Sequence, residues 1–267
     1  MIIDEAAFIE EAVEAGYVAP EDVEALRVQL DRAQADLDAV RTQRPDVKAE
    51  VDRAIRAANA GDRDAAQAAF AAANATIEEA AEAARLEQAR LKSAEATLLY
   101  PFRASQAEPL LCEAAELAAT DIWYWIECGR AREETGSLNG ALAAYETALE
   151  FARRDGAVRD VSVALDSIGD VRVAQGDLPG ALDAYDEGLG IRRDLAARDP
   201  GNAGWARDVV VSLAKLAQAD PGKAVAHWAE AADRVAEMAA RGVLAPTDGW
   251  MLEYTREQLA AARTAEP

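Results

Sequence analysis

The chain has 267 residues, 51% of them apolar but only 6% aromatic, and its 49 acidic against 28 basic side chains give a formal charge of −21. Phosphate binding needs a basic face, so nucleic acid and anionic membrane are excluded as general partners, and a partner with a basic patch would instead be steered toward this chain. Much of the apolar content is alanine, which favours helix and close helix–helix approach, so many thin interfaces are expected rather than one thick core.

The first 26 residues hold eight acids and no base. Met1-Ile2-Ile3-Asp4-Glu5-Ala6 lacks the basic region and apolar stretch of a signal peptide. No window approaches the ~18 uninterrupted apolar residues of a membrane span, and a cytoplasmic chain is expected. Phe8, Ile9, Ala12 and Val13 mark one face of a short helix closed by Gly16. Val23, Leu26, Leu30, Ala33, Leu37 and Val40 then alternate three and four apart, a heptad seam over 23–40 that Pro45 ends. So short a seam packs on its own chain more readily than it joins two chains, so a monomer is expected rather than a homodimer. Residues 1–44 read as an N-terminal helical cap or an interaction arm.

From residue 46 the pattern becomes one of helical hairpins. Gly61, Ala66, Phe70 and Ala73 fit a degenerate unit beginning near Val47. Leu91, Ala94, Ala107, Leu111 and Ala114 stand one 34-residue period before Trp125, Cys128, Ala141, Tyr145 and Ala148, although the turn glycines are missing and Pro109 lies where helix is expected. The clearest unit is 121–155. Asp121 is an N-cap for a helix to about Glu134, Gly136 stops it, and Ala141, Tyr145, Ala148 and Leu149 share one face of the helix that follows. The phrase from Gly136 to Tyr145 returns from Gly176 to Tyr185, and a fixed period in this range means stacked units that cannot bury their apolar faces alone. The second copy lies in a unit over 160–199 with Leu165, Ile168, Gly169, Ala181 and Gly188, whose second helix runs on through Ile191 to Asp199-Pro200. A third unit, 205–241, carries Leu213, Ala214, Ala224, Trp228 and Ala231 around a shorter turn at Asp220-Pro221-Gly222. Pro246-Thr247-Asp248 starts a capping helix over 246–263.

Trp125, Cys128 and Gly129, followed by Gly136, Ala141, Tyr145 and Ala148, stand at the spacings of a tetratricopeptide repeat. The chain resembles a tetratricopeptide-repeat protein over about 46–240, with the extended second helix of repeats of the kinesin light chain type. That resemblance implies an all-α fold: a right-handed α-solenoid of four to five hairpins between an N-terminal helical segment and a C-terminal capping helix. Gly129, Gly169, Ala141 and Ala181 would be small because helices cross closely there. The resemblance further implies a concave groove that binds a peptide or protein. Here it would show Lys92, Ala96, Leu99, Trp123, Ile126, Arg130, Asp166, Asp170, Val173, Val211 and Lys215.

Asp166 and Asp170 lie one helical turn apart, either as a docking point for a basic side chain or as a solvated face. With no histidine near them in sequence, acid–base or metal chemistry is not expected. Some members of the family clamp a C-terminal carboxylate with lysine and asparagine. The matching places here hold Arg130, Asp166 and Asp170, and the aspartates would repel a carboxylate. Trp125 fits the core, which leaves Trp123 as a groove anchor or as packing against the preceding helix pair. His227 is the only histidine, and Cys112 and Cys128 are too few for a disulfide framework and are expected to be small buried hydrophobes. No catalytic motif is present, so neither a cofactor, a metal nor an enzyme is expected. The expected function is a non-catalytic scaffold or adaptor for another protein or peptide. By resemblance it would be the regulatory or sensing subunit of a bacterial signalling or defence system. The alternative is an acidic chaperone or inhibitor that masks a basic effector, and an enzyme with an unrecognised site is the weaker one.

Overall fold

The computed structural model describes residues 3–78 and 85–265, without the side chains of Glu21, Glu78 and Pro246. Among the described residues there are thirteen α-helices, short 3-10 turns and no strand. The chain divides into two compact units, residues 1–144 and 145–267.

The first unit holds α1 (Glu5–Glu14), α2 (Val23–Gln43), α3 (Lys48–Asn59), α4 (Arg63–Glu78), α5 (Arg85–Leu99), α6 (Ala104–Leu117), α7 (Ile122–Glu134) and the start of α8 (Leu138–Asp155). Asp4 caps α1 by accepting from the Ala7 amide, and the chain leaves α1 through Gly16 at a φ of +72°, a conformation that favours glycine. Arg63 holds α1 in place. Its guanidinium stands 4.8 Å from the Phe8 ring and 4.3 Å from the Phe102 ring and donates to Glu11 at 2.7 Å. The hairpins α3–α4 and α5–α6 are both formed. The second forms without turn glycines and with Pro109 inside α6, on an exposed side of the helix where its missing N–H is tolerated. Asp121 caps α7 through the Trp123 amide, as its residue type predicts.

The two cysteines differ from expectation. Cys112 of α6 and Cys128 of α7 form a disulfide, with an S–S distance of 2.06 Å and Cα atoms 4.7 Å apart. Consecutive helices bring them together, a proximity that spacing in the sequence does not display. The expected pair of cytoplasmic thiols is thus a bridged pair, a chemistry that oxidising compartments favour and reducing ones oppose.

The second unit holds the rest of α8 with α9 (Val158–Gln175), α10 (Leu178–Arg198), α11 (Ala203–Ala219), α12 (Ala224–Ala240) and α13 (Met251–Ala265). Gly176 ends α9 at a φ of +80°, and Asp177 caps α10 through the Gly180 amide. Gly169 shows why a small residue stands at the helix crossing: a Cβ there would fall 2.3 Å from the Tyr185 ring. Ala181, one turn before Tyr185, is fully buried. Helix α10 runs on to Arg198, the expected extension. The last helix begins at Met251 rather than at Pro246, because Pro246–Asp248 closes a separate 3-10 turn. None of the described helices is long and apolar enough to cross a membrane.

Candidate functional site

Helix α5 is buried on almost all sides, which a hairpin in an open stack is not. The cause is α2, which packs mainly on α5 rather than on its chain neighbours α1 and α3. Its heptad residues Leu26, Leu30, Ala33, Leu37 and Val40 join Val51, Ile55, Leu91, Ala94 and Leu98 in one apolar cluster. The residues of α5 expected in a groove point elsewhere. Ala96 and Leu99 pack with Ala107, Leu111 and Ala131, and Lys92 pairs with Glu113 of α6 at 2.6 Å.

On α7 the expected groove residues lie beside α2. The Arg32 guanidinium stands 5.5 Å from the Trp123 ring and 4.9 Å from the Tyr124 ring, and 3.5 Å from the Asp121 carboxylate. Tyr124 donates to Asp36 at 3.5 Å, and Arg130 bonds Glu127 and meets the Gln29 amide. Ile126 is buried. The deep aromatic of the Trp123-Tyr124-Trp125 cluster is Tyr124, which lies in an apolar cluster with Ala89, Cys112 and Ala115 of α5 and α6 while Arg32 of α2 stands over its ring. Trp125 sits at the cluster edge and donates to the Ala119 carbonyl at 2.8 Å. Burial holds the Tyr124 hydroxyl above the usual tyrosine range, and nearby Asp36 adds to this. Burial also pushes the Asp36 carboxyl up, against the pull of Arg32.

In the second unit, the expected residues on α9 and α11 do come together. Asp166 is buried and accepts from Arg192 of α10 at 2.5 Å, and Arg192 also donates to the Ser212 hydroxyl at 2.5 Å. Burial raises the Asp166 carboxyl above its usual range, with Arg192 and Lys215 pulling the other way. Asp170 accepts from the Tyr185 hydroxyl at 2.7 Å and pairs with Lys215, whose ammonium lies 5.6 Å from the Tyr185 ring. The two aspartates are therefore neutralised within the fold rather than held open for a cation. One turn along their helices from Asp170 and Lys215, Val173 and Val211 are 40% and 37% exposed. Among the described residues no group of three or more histidine, cysteine or acidic side chains is placed to hold a metal ion.

Sequence reasoning did not single out Gln29, Arg32, Asp36, Arg192 or Ser212. A signal for the first three was present: they flank the heptad seam at spacings of three and four, where a packed helix carries its polar contacts.

No family model matches the chain. A stretch of 99 residues is 34% identical to Protein NCA1 of Arabidopsis thaliana, covering 35% of this chain. The match spans about a quarter, 24%, of that protein's length. Among solved structures, BtubC (BKLC) from P. vanneervenii superposes with a TM-score of 0.53 at 16% identity, over 91% of this chain and 94% of that one. The TPR-like repeats of a Podosopora anserina kinesin light chain give a TM-score of 0.47 at 14% identity, over 86% and 98% of the two chains. The fold is an all-α array of tetratricopeptide-like hairpins.

Proposed function

We propose that the chain is a non-catalytic scaffold that binds a segment of a partner protein along α9 and α11, at Asp170, Val173, Val211 and Lys215. The observation that carries this reading is two exposed valines flanking the Asp170–Lys215 ion pair, Val173 one helical turn after Asp170 on α9 and Val211 one turn before Lys215 on α11. An apolar side chain of the partner would cover the valines, and a basic patch would suit the net charge of −21. On the first unit Trp123 and Arg130 are engaged by α2, so the partner face is assigned to the second unit. Regulation or sensing within a multi-component bacterial signalling or defence system is the setting such repeats suggest.

Affinity capture from the native host, comparing wild type with Val173→Lys and Val211→Lys, which place a cation on an exposed apolar position and repel a basic patch, tests this. Both variants should fold and lose the wild-type partner at least tenfold. Undiminished capture by both would remove the face.

A second reading, an acidic chaperone or inhibitor of a basic effector, is favoured by Glu10, Glu14, Asp22 and Glu24, all exposed within the base-free first 26 residues. Its mark is salt sensitivity: most affinity would vanish at ~0.5 M salt, where screening falls to a few ångström.

A further inference from the structure

Helix α2 is not the hairpin mate of any helix it covers. Its apolar stripe packs mainly on α5, in a cluster that residues of α3 and α4 share, and a second stripe of Gln29, Arg32 and Asp36 reaches side chains of α7. This is the arrangement of an amphipathic helix laid into a receptor groove. We propose that the α5–α7 face of the first unit is a receptor for an amphipathic helix, that α2 is its resident occupant, and that a partner helix with the same pattern competes for the seat.

Three features support exchange over permanent burial. A cavity of about 550 Å³ opens under the start of α2, lined by Leu26, Gln29, Tyr100, Phe102, Arg130 and Glu134. The cleft leaves one flank of the start of α2 facing solvent, and opening can start there. The contacts of α2 with α7 are polar and cation–π contacts, which water can replace at small cost. The turn leading into α2 passes Gly16 and the exposed Tyr17, and α2 leans little on α1.

The resident helix defines the chemistry of its competitor. The partner helix would carry apolar residues spaced as Leu26, Leu30, Ala33, Leu37 and Val40. One flank would bear a cation to meet Asp121 and the Trp123 and Tyr124 rings, as Arg32 does. This face is separate from the α9–α11 face, and the two proposals fail independently.

The test uses the full chain and a fluorescent synthetic peptide of residues 22–44 as probe. Arg32→Glu places a third acid beside Asp36 and Asp121 without touching the apolar stripe, so the resident helix leaves its seat more often and the probe gains access. Fluorescence anisotropy should show Arg32→Glu binding the probe at least tenfold more tightly than wild type. The same probe with Leu30→Asp and Leu37→Asp should bind neither protein. No gain in binding by a variant that keeps the wild-type circular dichroism overturns the proposal. Should Arg32→Glu fail to fold, amide hydrogen exchange on the wild-type chain decides. Amides of α2 should exchange at least tenfold faster than those of α5 and α7, and equal rates overturn the proposal.

Discussion

Replacing Arg192 with alanine is expected to lower the unfolding free energy at pH 7 by about 3–5 kcal/mol, the cost of leaving one member of a buried ion pair without its partner. Asp166 and Arg192 are both buried, and Arg192 alone supplies the guanidinium that Asp166, Ser212 and the Ser162 carbonyl share. Without it, the carboxylate must stay charged in a desolvated site or take up a proton. Proton uptake by the folded variant means that its deficit shrinks as pH falls toward 5 and deepens as pH rises. The double substitution Asp166→Leu with Arg192→Met removes both charges and should come within about 1–2 kcal/mol of wild type. Urea unfolding followed by circular dichroism measures all three. A single-variant loss under about 1 kcal/mol would show that the pair is solvated rather than buried.

The second large effect concerns Glu95, on the part of α5 that is buried on almost all sides. Burial pushes its carboxyl up to about 7; Lys92 opposes the shift and Glu113 adds to it. The folded chain therefore holds a proton there that the unfolded chain releases near the ordinary glutamate value. Between about pH 4.5 and 7 the native state binds more protons, so this group makes stability fall as pH rises. The full penalty, on the order of 3 kcal/mol, is present above pH 7 and absent below pH 4.5. Glu95→Gln should therefore be more stable than wild type at pH 8 by roughly 1–3 kcal/mol and close to it at pH 5. The difference between the two unfolding curves at each pH isolates this group from the other acids. A difference independent of pH would mean that Glu95 is ionised in both states.

The hairpin architecture was legible because its determinants are local. Asp121, Gly136 and Gly176 mark helix ends through capping and left-handed turns, and Gly169 marks a crossing where only a bare Cα fits. The heptad seam was legible too, since periodicity shows that a face is buried. It does not show what buries it. That α2 would lie against α5 depends on a long-range packing choice, and this choice set Arg32 against the Trp123 and Tyr124 rings and Gln29 beside Arg130. The disulfide escaped for the same reason: Cys112 and Cys128 sit on different helices, and only their crossing makes them neighbours. On the candidate face of the second unit, Asp170, Val173, Val211 and Lys215 are the residues that the tetratricopeptide resemblance implies. Their charge balance does not follow from it, because Tyr185, Arg192 and Ser212 come from other turns and other helices.

A partner docked along α9 and α11 as proposed would lie against both helices at once. The most direct test of this docking places a photo-crosslinking residue at 173, at 211 and, as a control, at the exposed position 183 of α10, in the full chain expressed in its native host. A shared face predicts that one and the same partner is captured from 173 and 211 and is absent from 183. Capture of that partner from 183, with none from 173 or 211, would contradict it.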